Sequence, residues 1–151
     1  MASVFAVASY ILGKHGRMTA MKLQKLVYYS QAWSLVRDGR PLFGEEIEAW
    51  VNGPVVYELF KAHRGMFELA VADLRYGNPA TLDRAATATI DAVLEHYGTM
   101  SPQRLSDLSH TETPWLEARR NLDSAARSAR VITAEAMRDY YATSGQGPAG
   151  P

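Results

Sequence analysis

The chain has 151 residues, 47% hydrophobic and 21% charged, which fits one folded domain and excludes a largely disordered chain. It has no cysteine, which removes disulfides, thiolate metal sites and a cysteine nucleophile, and fits a reducing, cytoplasmic setting. Sixteen basic and sixteen acidic residues cancel, so no long-range attraction to nucleic acid or an anionic membrane is built into the whole molecule.

Val4 to Leu12 reads as a first, core-packed helix, ended by Gly13 and Gly16. No basic residues precede it, so it does not read as a signal peptide. No segment approaches the ~18 uncharged apolar residues of a membrane span. Thr19 is suited to cap a helix over Ala20 to Arg37, because its hydroxyl can accept from the free amides of the first turn. That run is apolar over most of its circumference, with Leu23, Leu26, Val27, Tyr28, Tyr29, Ala32, Trp33, Leu35 and Val36, so it reads as a central helix packed on several sides. Gly39 lies where a left-handed residue ends such a helix.

Ile47 to Val51 reads as a short strand, and Asn52-Gly53-Pro54 as a turn opening a helix from Val55 to Arg64. Gly65 to Thr81 is irregular. Leu82 to Tyr97 is an amphipathic helix. Ser101-Pro102 and Thr113-Pro114 open two short helices, and Thr133 caps a last one through Tyr141. These elements predict a mainly α, single-domain helical bundle around a buried central helix, with at most a small β element near 47–51. The domain spans 1–142, and a Gly/Pro-rich stretch, 143–151, is expected to be a flexible tail.

Chemistry is sparse. Gly145-Gln146-Gly147-Pro148-Ala149-Gly150 matches a dinucleotide fingerprint in letters but lacks the preceding strand and following helix. His110-Thr111-Glu112 matches half of a zinc deaminase signature whose other half needs cysteines. His15, His63 and His96 have no ligand spacing. Glu45, Glu46 and Glu48 could act as paired carboxylates beside Trp50, but read more simply as a solvated acidic edge or a docking surface. No metal, cofactor or catalytic set is expected. Lys14, Arg17, Lys22 and Lys25 form a basic cluster followed by Tyr28 and Tyr29, a pattern suited to a solvated face, to a partner, or to single-stranded nucleic acid. The segment 102–130 can also be read as a helix-turn-helix in a DNA-binding regulator. The N-terminal residues of its second helix, Pro114, Trp115 and Leu116, look like core rather than base contacts.

Two ordered blocks carry a family resemblance. The first is Met18-Thr19, Lys22-Leu23-Gln24-Lys25-Leu26, Tyr28-Tyr29, Gln31-Ala32-Trp33 and Pro41-Leu42-Phe43. The second is Glu48-Ala49-Trp50 with Gly53-Pro54-Val55-Val56. Together they resemble the Panacea domain of SocA-like antitoxins and phage-associated proteins. Leu108-Ser109-His110-Thr111, Pro114-Trp115 and Tyr140-Tyr141 extend the resemblance more loosely. It implies a non-enzymatic bacterial or phage protein that neutralises a cognate toxin by direct binding, or hands it to a ClpXP-type protease. The resemblance supplies no catalytic residues. Self-association is left open by the sequence.

Physical reasoning then selects a binding face. Lys22, Gln24, Lys25, Gln31, Arg37, Glu45, Glu46 and Glu48 read as exposed, and Tyr28, Tyr29, Trp50 and Tyr57 as intermediate. Lys22, Lys25, Tyr28, Tyr29, Glu46, Glu48 and Trp50 are the expected partner-binding set. Lysines are costly to bury unpaired, and tyrosine and tryptophan dominate interface hot spots.

Overall fold

Helix α2 (Ala20–Arg37) has apolar residues on nearly every side, and in the computed structural model, which describes residues 1–148, the other elements pack around it. The Thr19 hydroxyl accepts from the Lys22 amide at 3.1 Å and starts the helix. Gly39 follows its end with φ +68°, a conformation that suits glycine. One side of α2 meets α1 (Val4–His15) and α4 (Arg84–Tyr97). Another meets α7 (Ala134–Thr143), and a third meets β3 (Gly53–Val56) and α5 (Pro102–His110). The fold is predominantly α with a small β component, as composition and periodicity predict.

The antiparallel sheet runs in the order β3–β2–β5, with β2 at Ile47–Trp50 and β5 at Val131–Ile132. Ile47 faces Val56 and Ile132 on its two sides, and Trp50 faces Gly53. A separate pair joins β1 (Met18–Thr19) to β4 (Glu68–Leu69). Helix α3 (Tyr57–His63) begins two residues later than the sequence suggests, because Pro54 lies within β3 and does not open the helix. A proline is tolerated there because β3 is an edge strand, where a missing N–H breaks no ladder. Helix α6 (Thr113–Ala118) completes the set. Residues 149–151 of the expected tail lie outside the described residues. Gly147, within it, stands against the Trp33 indole.

Fourteen of the 18 residues of α2 are buried, so polar residues are inside as well. Gln24 donates from Nε2 to the Val56 carbonyl at 3.2 Å and accepts from the Val56 amide at 2.9 Å. It thereby satisfies the free edge of β3. Gln31 does the same for the extended chain before β2, accepting from the Leu42 amide at 2.7 Å and donating to the Phe43 carbonyl at 2.8 Å. The Ser34 hydroxyl donates to the Arg40 carbonyl at 2.7 Å. Buried backbone groups need such partners, and side chains supply them here. Gln24 and Gln31, expected at the surface, are fold residues.

The aromatic residues of α2 end in a buried network. Tyr29 and Tyr141 both donate to Glu112 Oε1 at 2.7 Å, and the Tyr28 and Tyr141 hydroxyls lie 2.9 Å apart. The rings of Tyr29 and Tyr97 stack at 4.1 Å, and the Trp33 indole donates to the Tyr97 hydroxyl at 3.1 Å. Burial pushes the Glu112 carboxyl above its usual range, against the opposing pull of the two tyrosine hydrogen bonds. The network joins α2, α4, α7 and the α5–α6 turn.

Candidate partner-binding face

The seven residues expected to form one exposed face divide in two. Lys25, Tyr28 and Tyr29 are buried, at 1%, 1% and 0% exposure, and this corrects their expected exposure. The two tyrosines belong to the network around Glu112. Lys25 lies under the β2–β3 turn, beside Gly53 and Ser109, and forms no hydrogen bond among the described residues. Burial lowers its pKa to about 8. The neighbouring His63 ring accepts from Gln24 Nε2 at 3.0 Å, and its pKa is lowered, first by burial and then by the nearby lysine.

Lys22 is partly exposed, and its ammonium donates to the Gly98 carbonyl at 2.6 Å. His15 Nε2 donates to the same oxygen at 2.9 Å. Gly98 caps the C-terminus of α4, where free carbonyls attract cations. Lys22 is therefore a cap on a neighbouring helix. The basic cluster that the sequence displays is not one solvated face, because two of its four members are engaged in the fold.

Glu46, Glu48 and Trp50 remain at the surface, and the β2 pleat explains the last two. Ile47 and Ala49 point into the core, while Glu48 and Trp50 point outward. Glu48 accepts from the Trp50 indole at 2.8 Å. Glu45 accepts from the Val4 amide at 3.1 Å at the start of α1, so the three acids do not act as a carboxylate set. No cluster of histidine and acidic residues able to hold a metal is present among the described residues.

Trp50 stands in an open groove of about 890 Å³ between the sheet, α3 and the loop before β5. Its ring lies 5.0 Å from Phe60 and 6.3 Å from Tyr57, and those two are 6.2 Å apart. Val51 and Val55 extend the apolar lining, and Arg64 and Arg127 flank it. The Arg64 guanidinium lies 5.2 Å over the Phe60 ring and donates to the Tyr57 hydroxyl at 3.3 Å. The sequence reading missed Phe60, Arg64 and Arg127. Tyr57, Phe60 and Arg64 recur at three- and four-residue spacing, which places them on one side of α3 and its end and was a usable signal. Arg127 arrives from a distant loop and leaves no local trace.

The groove wall is gripped from behind. Ser106 donates to the Asn52 carbonyl and His110 to the Val51 carbonyl, each at 2.7 Å. Trp115 donates to the Trp50 carbonyl and Arg119 to the Ala49 carbonyl, each at 2.8 Å. Four consecutive carbonyls are thus held by α5, α6 and the residue after α6. This geometry does not present a DNA recognition helix. Helix α6 is six residues long, its Pro114 and Trp115 are buried, and Arg119 also binds the Asp123 and Ala126 carbonyls.

Residues 23–116 match the family model of the antitoxin SocA-like Panacea domain. The chain belongs to this family. The match covers α2 from Leu23 on, the hairpin, the aromatic residues of α3, and α5 into α6, so the groove wall and three of the side chains that grip it, Ser106, His110 and Trp115, are parts of the Panacea domain itself, while Arg119 lies just beyond the matched segment. Arg127 and the second strand edge, β5, lie outside the matched segment. A curated relative, antitoxin SocA of Caulobacter vibrioides (strain NA1000 / CB15N), is 32% identical over 125 residues. The alignment covers 73% of this chain and 66% of the relative. No solved structure matches the chain. No helix among the described residues of this Panacea domain is long and apolar enough to cross a membrane.

Proposed function

We propose that this chain is an antitoxin that neutralises a toxin by binding it directly, through the face built by β2, β3 and α3. The observation that carries this reading is the cluster of Trp50, Tyr57 and Phe60, three aromatic rings in mutual contact around an open groove. Aromatic anchors of this kind dominate the energetics of protein interfaces, and an apolar pocket left open at a surface is a binding feature. Membership of an antitoxin family, and the name of the curated relative, supply the class of partner.

The partner is a toxin encoded beside this gene, met in the cytoplasm. The test is co-expression of this chain with the product of the adjacent reading frame. Restored growth and co-elution of the two proteins are the expected results. A neighbour that stays toxic, or that does not co-elute, overturns the reading. The same rescue in cells lacking a ClpXP-type protease separates direct neutralisation from delivery to proteolysis. Rescue that persists without the protease supports direct binding, and rescue that vanishes supports delivery.

A further inference from the structure

The groove combines two features that ask for different things from an occupant. Its floor is apolar and aromatic, with Trp50, Tyr57, Phe60 and Val55. Its charged lining is uneven: one acid, Glu48, against two arginines, Arg64 and Arg127. Glu48 is already engaged, since its Oε1 accepts from the Trp50 indole at 2.8 Å. Neither arginine forms an ion pair among the described residues, and both are exposed. Their neighbour Lys61 differs, being paired with Glu58 at 3.0 Å. Arg64 also lies with its guanidinium over the Phe60 ring at 5.2 Å. A guanidinium resting on an aromatic face is pre-organised, and its in-plane N–H groups suit a carboxylate.

We infer that the groove takes a segment of the partner in which a bulky apolar side chain sits beside a carboxylate. The apolar group enters among Trp50, Tyr57 and Phe60, and the carboxylate meets Arg64 and Arg127. The identity of the partner as a toxin rests on the antitoxin reading, but the chemistry of the segment rests on the groove alone. Phosphate of a nucleic acid is a poorer fit. Two arginines are few for a strand-binding channel, Glu48 would repel the backbone, and the molecule as a whole carries no net charge.

The test uses short immobilised peptides carrying one tryptophan or leucine flanked by aspartate, serine or lysine, with oligothymidylate as the nucleic acid probe. The full chain is compared with Phe60→Ala, with Arg64→Glu/Arg127→Glu, and with the milder Arg64→Gln/Arg127→Gln, each checked for folding by thermal melting. The aspartate-flanked peptides are expected to bind best and the lysine-flanked ones worst, with a difference that shrinks as salt rises. Charge reversal should weaken the aspartate-flanked set by about tenfold or more and remove the ranking, and Phe60→Ala should weaken every peptide. The glutamine pair keeps the test open if charge reversal disturbs the fold. Equal binding of aspartate- and lysine-flanked peptides, no peptide binding, or preferential binding of oligothymidylate overturns the inference. The cognate toxin is assayed in parallel. A toxin that binds wild type and both arginine variants equally sinks the inference and leaves the antitoxin reading standing. Peptide binding in the expected order, with a toxin that does not bind wild type, does the reverse.

Discussion

A Cβ on Gly53 would stand 2.6 Å from the Cε of Lys25, so the turn and the buried lysine fit together only because this position has no side chain. The same Cβ would come within 2.9 Å of the Ser109 hydroxyl, and φ at Gly53 is +118°. Gly53→Ala combines a left-handed backbone strain with overpacking, and should cost about 2–4 kcal/mol. Urea denaturation is the measurement. A loss under about 0.5 kcal/mol, the usual range for an innocuous surface change, would show that Lys25 steps aside freely.

Lys25 should make stability rise with pH on the alkaline side. Burial lowers its folded pKa from 10.5 to about 8. Between those values the unfolded chain holds the proton and the folded chain releases it, so stability increases as pH rises through this window. Above pH 10 the gain is opposed, because the buried Tyr28, Tyr29 and Tyr97 resist the ionisation that is open to them in the unfolded chain. Lys25→Met keeps a similar length without the charge. It should abolish the climb between pH 8 and 10 and raise stability at pH 7 by an amount on the order of 3 kcal/mol. A variant no more stable than wild type at pH 7 would mean that the ammonium is well solvated.

Glu112 should act with the opposite slope on the acid side. Its folded pKa is raised above 4.5, by burial, so the folded state holds the proton more tightly than the unfolded state. Stability therefore falls as pH rises from 4.5 through the folded pKa, and is level beyond it. Glu112→Gln leaves an Oε1 to accept from Tyr29 and Tyr141, and should flatten this slope while preserving the fold. Glu112→Ala leaves two buried hydroxyls without an acceptor, which should cost about 2–5 kcal/mol. Denaturation midpoints across the acid range test both.

Lys22 and the groove should separate cleanly in binding assays. Lys22→Glu replaces the cation on the α4 terminus with an anion, and should cost about 1–2 kcal/mol of stability without changing toxin affinity. A loss of affinity in a folded Lys22→Glu protein would return this lysine to the interface. Reversing Lys22 and Lys25 together would report on folding, because Lys25 is buried.

Trp33→Ala should cost about 3–5 kcal/mol, the usual loss for a buried large aromatic. The ring is 7% exposed, bonds Tyr97 and carries Gly147 on one side. A melt showing under about 1 kcal/mol of change would mean that the site closes around the deletion.

The division between what the chain discloses locally and what it conceals runs through α2. Its boundaries, its Thr19 cap and its central position follow from nearby residues. The caps at Ser101 and Thr133 and the outward side of β2, with Glu48 and Trp50, follow in the same way. The partners of its polar residues do not. Lys22 meets a carbonyl 76 residues away, Gln24 a strand 32 residues away, and Tyr29 a carboxylate 83 residues away. A helix enclosed on all sides must bury its polar residues too, so a central α2 implies buried partners for Gln24 and Gln31 and a buried Lys25. The aromatic groove is half visible, because Trp50 stands out beside its acids while Phe60 and Arg64 lie in an ordinary short helical run.

The grip of Ser106, His110, Trp115 and Arg119 on the carbonyls of residues 49–52 has a consequence for what the molecule can become. Carbonyl oxygens are the same whatever side chains the strand carries. The scaffold therefore holds the shape of the hairpin while remaining blind to the groove side chains of Glu48, Trp50, Val51 and Asn52. Those positions can be rewritten without loosening the mount, much as a tool holder accepts different bits. One hairpin shape can thus carry different outward side chains, and with them a groove of different chemistry.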